Sequence, residues 1–309
     1  MITEKKKPLS PWGIIFNRAH LFLAAILASI FLLSGKEGDS PLAFLVVLGL
    51  IEALFLLQYV RTQKKSVMDI TMTAFLFLFI WEVSVKAGYA HPVLVPSPEN
   101  VFQVFVTERE LMLQGIGSSL FLLAISVGLS LVLGVFLGLF TGWFPRIREA
   151  VVPIASVIGP IPPLVYTPYV VAVMPTFRSA SIFVIFSACF WPFFLRMVQM
   201  VTTMDKKIIQ TARVMDIPTR QMLFSVILPY CIPGILRSIP ATMRGAFLCL
   251  TGAELLGARS GLGYFVKKFS DYANYTKVIA GIILMGIVVT MIDMLIDLVI
   301  KKMIRWDYT

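Results

Sequence analysis

Charge is scarce in this chain of 309 residues: Asp, Glu, Lys and Arg make up 14% of it and hydrophobic residues 58%, which excludes an ordinary soluble domain. Histidine is scarcer still, and His20 and His91 stand isolated along the sequence, without the neighbours that acid–base catalysis or metal binding requires. The cysteines, Cys189, Cys231 and Cys249, lie in apolar surroundings with neither metal-ligand spacing nor a pairing pattern. They are read as buried reduced thiols. No G-x-x-x-x-G-K-[ST] segment occurs, so the chain has no phosphate-cradling loop and draws any nucleotide energy from elsewhere. The first apolar run lacks a small-residue cleavage site and further apolar runs follow it, so it reads as a retained anchor.

What is present is a series of long apolar runs. Crossing a bilayer core takes about 20 apolar residues, and eight candidate spans follow at about 14–33, 41–60, 68–88, 115–143, 151–173, 180–200, 237–257 and 275–300. The architecture expected is an all-α polytopic transmembrane bundle. Pro160, Pro162, Pro163 and Pro168 fall in the fifth run, so that helix must break or kink, which is tolerated where protein or a water-filled cavity receives it. The net charge of +10 is not a nucleic-acid signal, because the basic residues sit in short clusters between apolar runs. With the N-terminus inside, the inner side receives Lys5, Lys6, Lys7 and Arg18, the basic residues of 61–65, Arg146, Arg148, the run over 196–244, and Lys301, Lys302 and Arg305. These outnumber the basic residues on the other side, which places both termini in the cytoplasm. The outer loops are short, about 89–114 being the longest, and leave no room for a domain that captures solute.

One polar stretch, about 201–236, interrupts this pattern on the cytoplasmic side. Asp205 is placed to start a helix with Ile208, Ile209, Ala212 and Met215 at helical spacing, one apolar face on an otherwise charged surface. Pro218 disfavours helix at Ile217, and Asp216 tolerates left-handed backbone, so a bend is expected there. A second helix is expected to run from Pro218 through Met222, Leu223 and Val226 to a stop at Leu228-Pro229.

That stretch resembles the coupling loop of ABC importer permeases, whose pattern is E-A-A, three residues, Gly, nine residues, Ile, one residue, Leu-Pro. Gln210, Thr211, Ala212, Asp216, Val226, Leu228 and Pro229 fall at those positions. The spacing matches, while Gln210, Thr211, Asp216 and Val226 depart from the pattern. IWEVSVKAG, VPSPENVF, GPIPPLVYTP and AELLGARSGLGYF extend the resemblance, over about 80–306, to the nitrate, sulfonate and taurine branch of these permeases. It implies a type I core of six spans over 68–309, leaving 1–67 as an extension with two further spans. It also implies a cell-membrane transport subunit without enzymatic activity or cofactor, its ATP bound by a separate ABC ATPase. Further partners implied are an extracytoplasmic solute-binding protein and a second permease subunit, forming a homodimer. Solutes of the branch are small anions, sulfonates and vitamin-precursor-like compounds. By the same resemblance Gln210, Thr211, Ala212, Arg213, Asp216 and Pro218 couple to the ATPase, and Pro160, Pro162, Pro163, Glu254, Gly261 and Gly263 belong to the path or its gate.

Other residues are read from chemistry alone. Gly134, Gly138 and Gly142 recur every four residues, a stripe that lets another helix approach closely. Glu254 either pairs with Arg259 or a neighbouring helix, or belongs to the outer gate. Asp297 with Lys301, Asp293 with Arg237 or Arg244, and Glu82 with Lys86 are expected ion pairs. A secondary carrier using Asp293, Asp297 and Glu254 for ion coupling is the alternative reading, and a membrane scaffold without transport is a third. No inverted hydropathy repeat supports the carrier, and the scaffold leaves the five ordered motifs unexplained.

Overall fold

Within a bilayer a chain can satisfy its own N–H and C=O groups only as helix or as a closed barrel, and these runs lack the alternation of barrel strands. The computed structural model describes residues 18–32, 41–62, 64–91 and 93–303, and every regular element among them is a helix. In chain order these are α1 (Arg18–Leu32), α2 (Leu42–Thr62), α3 (Lys65–Lys86), α4 (Pro98–Thr107), α5 (Arg109–Trp143) and α6 (Pro145–Ile158). Then follow α7 (Pro163–Val173), α8 (Phe177–Thr202), α9 (Lys206–Val214), α10 (Thr219–Gly257), α11 (Leu262–Asp271) and α12 (Tyr275–Met303).

Of the eight expected spans, six stand as long apolar helices: α2, α3, α5, α8, α10 and α12. The fifth is a broken pair, α6 and α7, bent by 93°. Pro160, Pro162 and Pro163 at the break remove the N–H groups that would carry one helix into the next. The first is the 15-residue α1, short for a span by itself; residues 14–17 and 33 of the expected run lie outside the described residues.

The second loop helix also differs from expectation. It does not stop at Leu228-Pro229. Met222–Ile227 is wound as π-helix, in which the Leu228 N–H bonds Leu223 O five residues back, and the backbone continues to Gly257. The wider turn accommodates the missing N–H and the ring of Pro229, which in a regular helix would crowd the carbonyl four residues earlier. At 39 residues the resulting rod is about 58 Å long, so it extends beyond a hydrocarbon core of about 30 Å.

The chain forms two compact units. One comprises the described residues up to Arg109 together with Phe269–Ala280. Here α1 lies along α3, and Ile26, Ile30, Phe44, Leu48, Phe75 and Leu78 form the core. Phe44 stacks on Phe102 of α4 at 5.7 Å, and the Trp81 indole N–H donates to Pro96 O at 2.9 Å. The N-terminal helices therefore share a core with the segments carrying IWEVSVKAG and VPSPENVF. Lys86 meets Glu82 at 2.5 Å, as expected, and also Glu99 at 2.9 Å; both carboxylates are buried. His20 is not isolated in space: its Nε2 lies 2.7 Å from Glu52 Oε1, a contact between residues 32 apart that local spacing could not reveal.

The other unit comprises Glu110–Lys268 and the described residues from Gly281 onward. The glycine stripe of α5 packs on α8 as expected. A Cβ at Gly138 would lie 2.7 Å from Met197 Cβ, and one at Gly142 would lie 2.7 Å from Val201 Cβ. Ser130 of α5 donates to Phe186 O of α8 at 2.8 Å, and α8 in turn packs along α10 and α7. Asp293 accepts from Arg244 at 3.0 Å, one of the two partners expected. Asp297 and Lys301 form no ion pair among the described residues; both are exposed, where such a pair gains little. Cys189, Cys231 and Cys249 are buried and free.

Candidate functional site

Two groups of sequence-marked residues occupy different ends of the second unit. The first is the bend between α9 and α10. Asp205 Oδ1 accepts from the Lys207 N–H at 2.9 Å and starts α9. The helix closes with a bond from Ile217 N–H to Ala212 O at 3.3 Å, spanning Asp216 at φ +52°. This is a six-to-one closure over a left-handed residue, the arrangement that normally takes glycine. Pro218 then fixes extended backbone, with φ −67° and ψ 151°, and α10 begins. Helix, bend and helix appear as the sequence predicts, with Asp216 in the conformation glycine would favour.

The faces of this segment differ from expectation at two residues. Ile208 and Ile209 are half-buried and Ala212 is buried within this chain, so Ala212 is not free to meet another protein. Met215, expected on the same face, is 70% exposed, and Val214 beside it is 86% exposed. The helix ends at Val214, so the residues that follow leave the helical face. Gln210, Thr211, Asp216 and Pro218 are exposed; Arg213 lies within α9, its side chain outside the described residues.

The second group surrounds Glu254, 1% exposed, near the end of α10. A buried carboxylate needs donors. Ser119 Oγ of α5 donates to Glu254 Oε1 at 2.6 Å, and the Gly263 N–H in the first turn of α11 donates to Oε2 at 2.7 Å. Ser119 Oγ also accepts the Leu262 N–H at 2.9 Å, so one hydroxyl ties α5, α10 and α11. The carboxylate further benefits from the positive end of α11. The glycines make this approach possible. Gly261 has φ +136°, and a Cβ there would lie 2.3 Å from Glu254 Oε1; at Gly263 it would lie 2.8 Å from Glu254 Cβ. The expected pairing with Arg259 is not made: Glu254 is held by Ser119 of α5 and by the Gly263 N–H.

Ser119 and Val214 were not singled out by the sequence. A serine on an apolar helix carries no local mark of a distant carboxylate, although Gly115 one turn earlier, whose Cβ would lie 3.2 Å from Gly261 O, marks the same face. Pro160 and Pro162 are exposed on the single chain and Pro163 half-buried, at the bend between α6 and α7. They are not brought to either group by any contact described above.

Residues 130–305 match the family described as "Binding-protein-dependent transport system inner membrane component". The chain is similar to SsuC of Bacillus subtilis (strain 168), named for aliphatic sulfonates transport, at 27% identity over 74% of this chain and 83% of that one. It is similar to the taurine transport system permease protein TauC of Escherichia coli (strain K12), at 24% identity over 76% of this chain and 88% of the relative. The nitrate import permease protein NrtB of Leptolyngbya laminosa is 26% identical over 79% of this chain and 90% of its own.

Proposed function

Since the chain belongs to the family of binding-protein-dependent transport system inner membrane components, as an ABC importer permease of the nitrate, sulfonate and taurine branch, we propose that it forms the translocation path of an ATP-driven importer for a small organic or inorganic anion. A separate ABC ATPase binds and hydrolyses the ATP, an extracytoplasmic protein delivers the solute, and two permease subunits, a homodimer in the simplest case, enclose the path. Both termini and the 201–236 loop face the cytoplasm, as the distribution of basic residues indicates. Residues 1–67 act as an addition to the transport core of 68–309.

The observation that carries this reading is the bend at Asp216. A short helix followed by the exposed end of a long membrane rod is a lever, since displacement of α9 is passed to α10 through a bend of four residues, 215–218. Gln210, Thr211, Arg213, Asp216 and Pro218 surround the contact, and Val214 and Met215 supply its exposed apolar part. Ala212 supports the lever from inside. At the other end, Glu254, Gly261 and Gly263 hold the outer gate, and Pro160, Pro162 and Pro163 shape the path where a second subunit covers them.

The test is co-purification of the chain with its ATPase. Val214→Asp with Met215→Asp should abolish association while membrane insertion and thermal unfolding stay at wild-type values, because exposed positions tolerate substitution and a desolvated apolar contact does not accept unpaired carboxylates. Unchanged association would remove the bend as the contact.

A further inference from the structure

Beside the Glu254 cage lies a second feature that the proposed gate does not use. A cavity of about 500 Å³ opens between the start of α8, the loop after α10 and the face of α5, lined in part by Ser118, Thr176, Arg178, Arg259 and Ser260. The volume suits a small-molecule ligand. No carboxylate is among its lining residues. Arg259 has no ion pair or hydrogen bond among the described residues, and Arg178 lies over the Phe121 ring at 4.4 Å without an acidic partner among them. Stacking orients a guanidinium while leaving its in-plane N–H groups free to donate. The hydroxyls of Ser118 and Ser260 are also uncommitted among the described residues. Leu122 and Phe177 give the cavity an apolar wall.

Two cations and two hydroxyls against an apolar wall describe an anion with a short hydrocarbon body. We propose that this cavity binds a compact organic oxyanion, a sulfonate or carboxylate on a small apolar body, at the outer mouth of the path. The proposal rests on the importer reading and gives it a substrate contact in the permease itself. Planar guanidinium groups meet two oxygens of such a headgroup bidentately. Glu254 does not oppose this, since its oxygens are already held by Ser119 and Gly263 and it is outnumbered by two arginines. The cavity and the cage are also joined through the chain: Ser118 lines one and Ser119 closes the other, and the loop carrying Arg259 and Ser260 leads directly into Gly261. Anion occupancy therefore bears on the loop that the Glu254 cage anchors.

The test uses the full-length chain in nanodiscs of zwitterionic phosphatidylcholine, titrated calorimetrically with propanesulfonate, with propylammonium at equal ionic strength as control. Propanesulfonate should bind saturably and propylammonium should not. Arg178→Gln and Arg259→Gln should each weaken binding about tenfold or more, the double change should abolish it, and Arg259→Lys should retain part of it. Thermal unfolding without ligand should match wild type, since both arginines are exposed. Absence of saturable binding, or equal affinity in the double variant, overturns the proposal. So does loss of binding when anionic phosphatidylglycerol replaces part of the phosphatidylcholine, which would assign the arginines to an anionic lipid headgroup. The titration involves no ATPase, so sulfonate binding without ATPase association would sink the importer reading alone, and the converse would sink this inference alone.

Discussion

Ser119→Ala isolates the interaction that joins α5, α10 and α11 around Glu254. The Ser119 hydroxyl donates to Glu254 Oε1 at 2.6 Å and accepts the Leu262 N–H at 2.9 Å. Its removal leaves a buried carboxylate oxygen and a buried backbone donor without partners at once. An unsatisfied buried group costs about 1–3 kcal/mol, with charged groups at the upper end. No large void forms, because only one oxygen is lost, so the combined penalty is that of the two groups alone, about 2–6 kcal/mol. It should fall on local opening of the 258–263 segment, where the bonds lie, more than on the helices. Hydrogen exchange at Leu262 and Gly263 reads that opening directly, and about 2–6 kcal/mol corresponds to exchange roughly thirty to more than ten thousand times faster. Adding Glu254→Gln should recover part of the loss, because a neutral amide is less costly to leave partly unpaired than a carboxylate. Exchange within about threefold of wild type in Ser119→Ala would show that the hydroxyl does not secure the cage.

Gly138→Ala should destabilise by about 1–3 kcal/mol in thermal unfolding, since its Cβ would press on Met197 Cβ and Phe194 O at 2.7 Å, while Gly128→Ala, with no atom within 4 Å of the added carbon, should be neutral or stabilising by up to about 1 kcal/mol. Lys86→Met leaves Glu82 and Glu99 buried without a cation and should destabilise the first unit by about 3–5 kcal/mol; Glu82→Gln and Glu99→Gln in the same chain should restore most of it in denaturant unfolding. Asp216→Gly should preserve ATPase association because glycine adopts φ +52° without strain, whereas Asp216→Val should weaken it, as a β-branched residue resists left-handed backbone.

The membrane helices were legible because their signal is cumulative. Twenty apolar residues in succession leave few alternatives, and seven of the eight expected spans correspond to a long apolar helix or to the α6–α7 pair, while the first meets only the shorter α1. The bend at Asp216 was legible for a different reason: Pro218 restricts its predecessor locally, and no distant contact is needed. What escaped was set by partners far along the chain. His20 finds Glu52 and Ser119 finds Glu254 across 32 and 135 residues, separations at which no periodicity operates. The exposed side of α9 escaped as well, since helical spacing groups Ala212 with Met215 but cannot report where the helix ends. Leu228-Pro229 looked like a stop because proline ends regular helices; a π-helical turn upstream is a tertiary accommodation with no sequence mark of its own.

ATP hydrolysed by a partner, as opposed to an ion gradient, is the energy source proposed for this chain, and reconstitution into liposomes tests it most directly. Vesicles containing the chain with its co-purified ATPase and binding protein should accumulate solute on ATP addition, and Val214→Asp with Met215→Asp should abolish that accumulation. Vesicles containing the chain alone should neither hydrolyse ATP nor accumulate solute under imposed proton or sodium gradients. Uptake by the lone chain driven by an ion gradient would contradict the account and favour a secondary carrier.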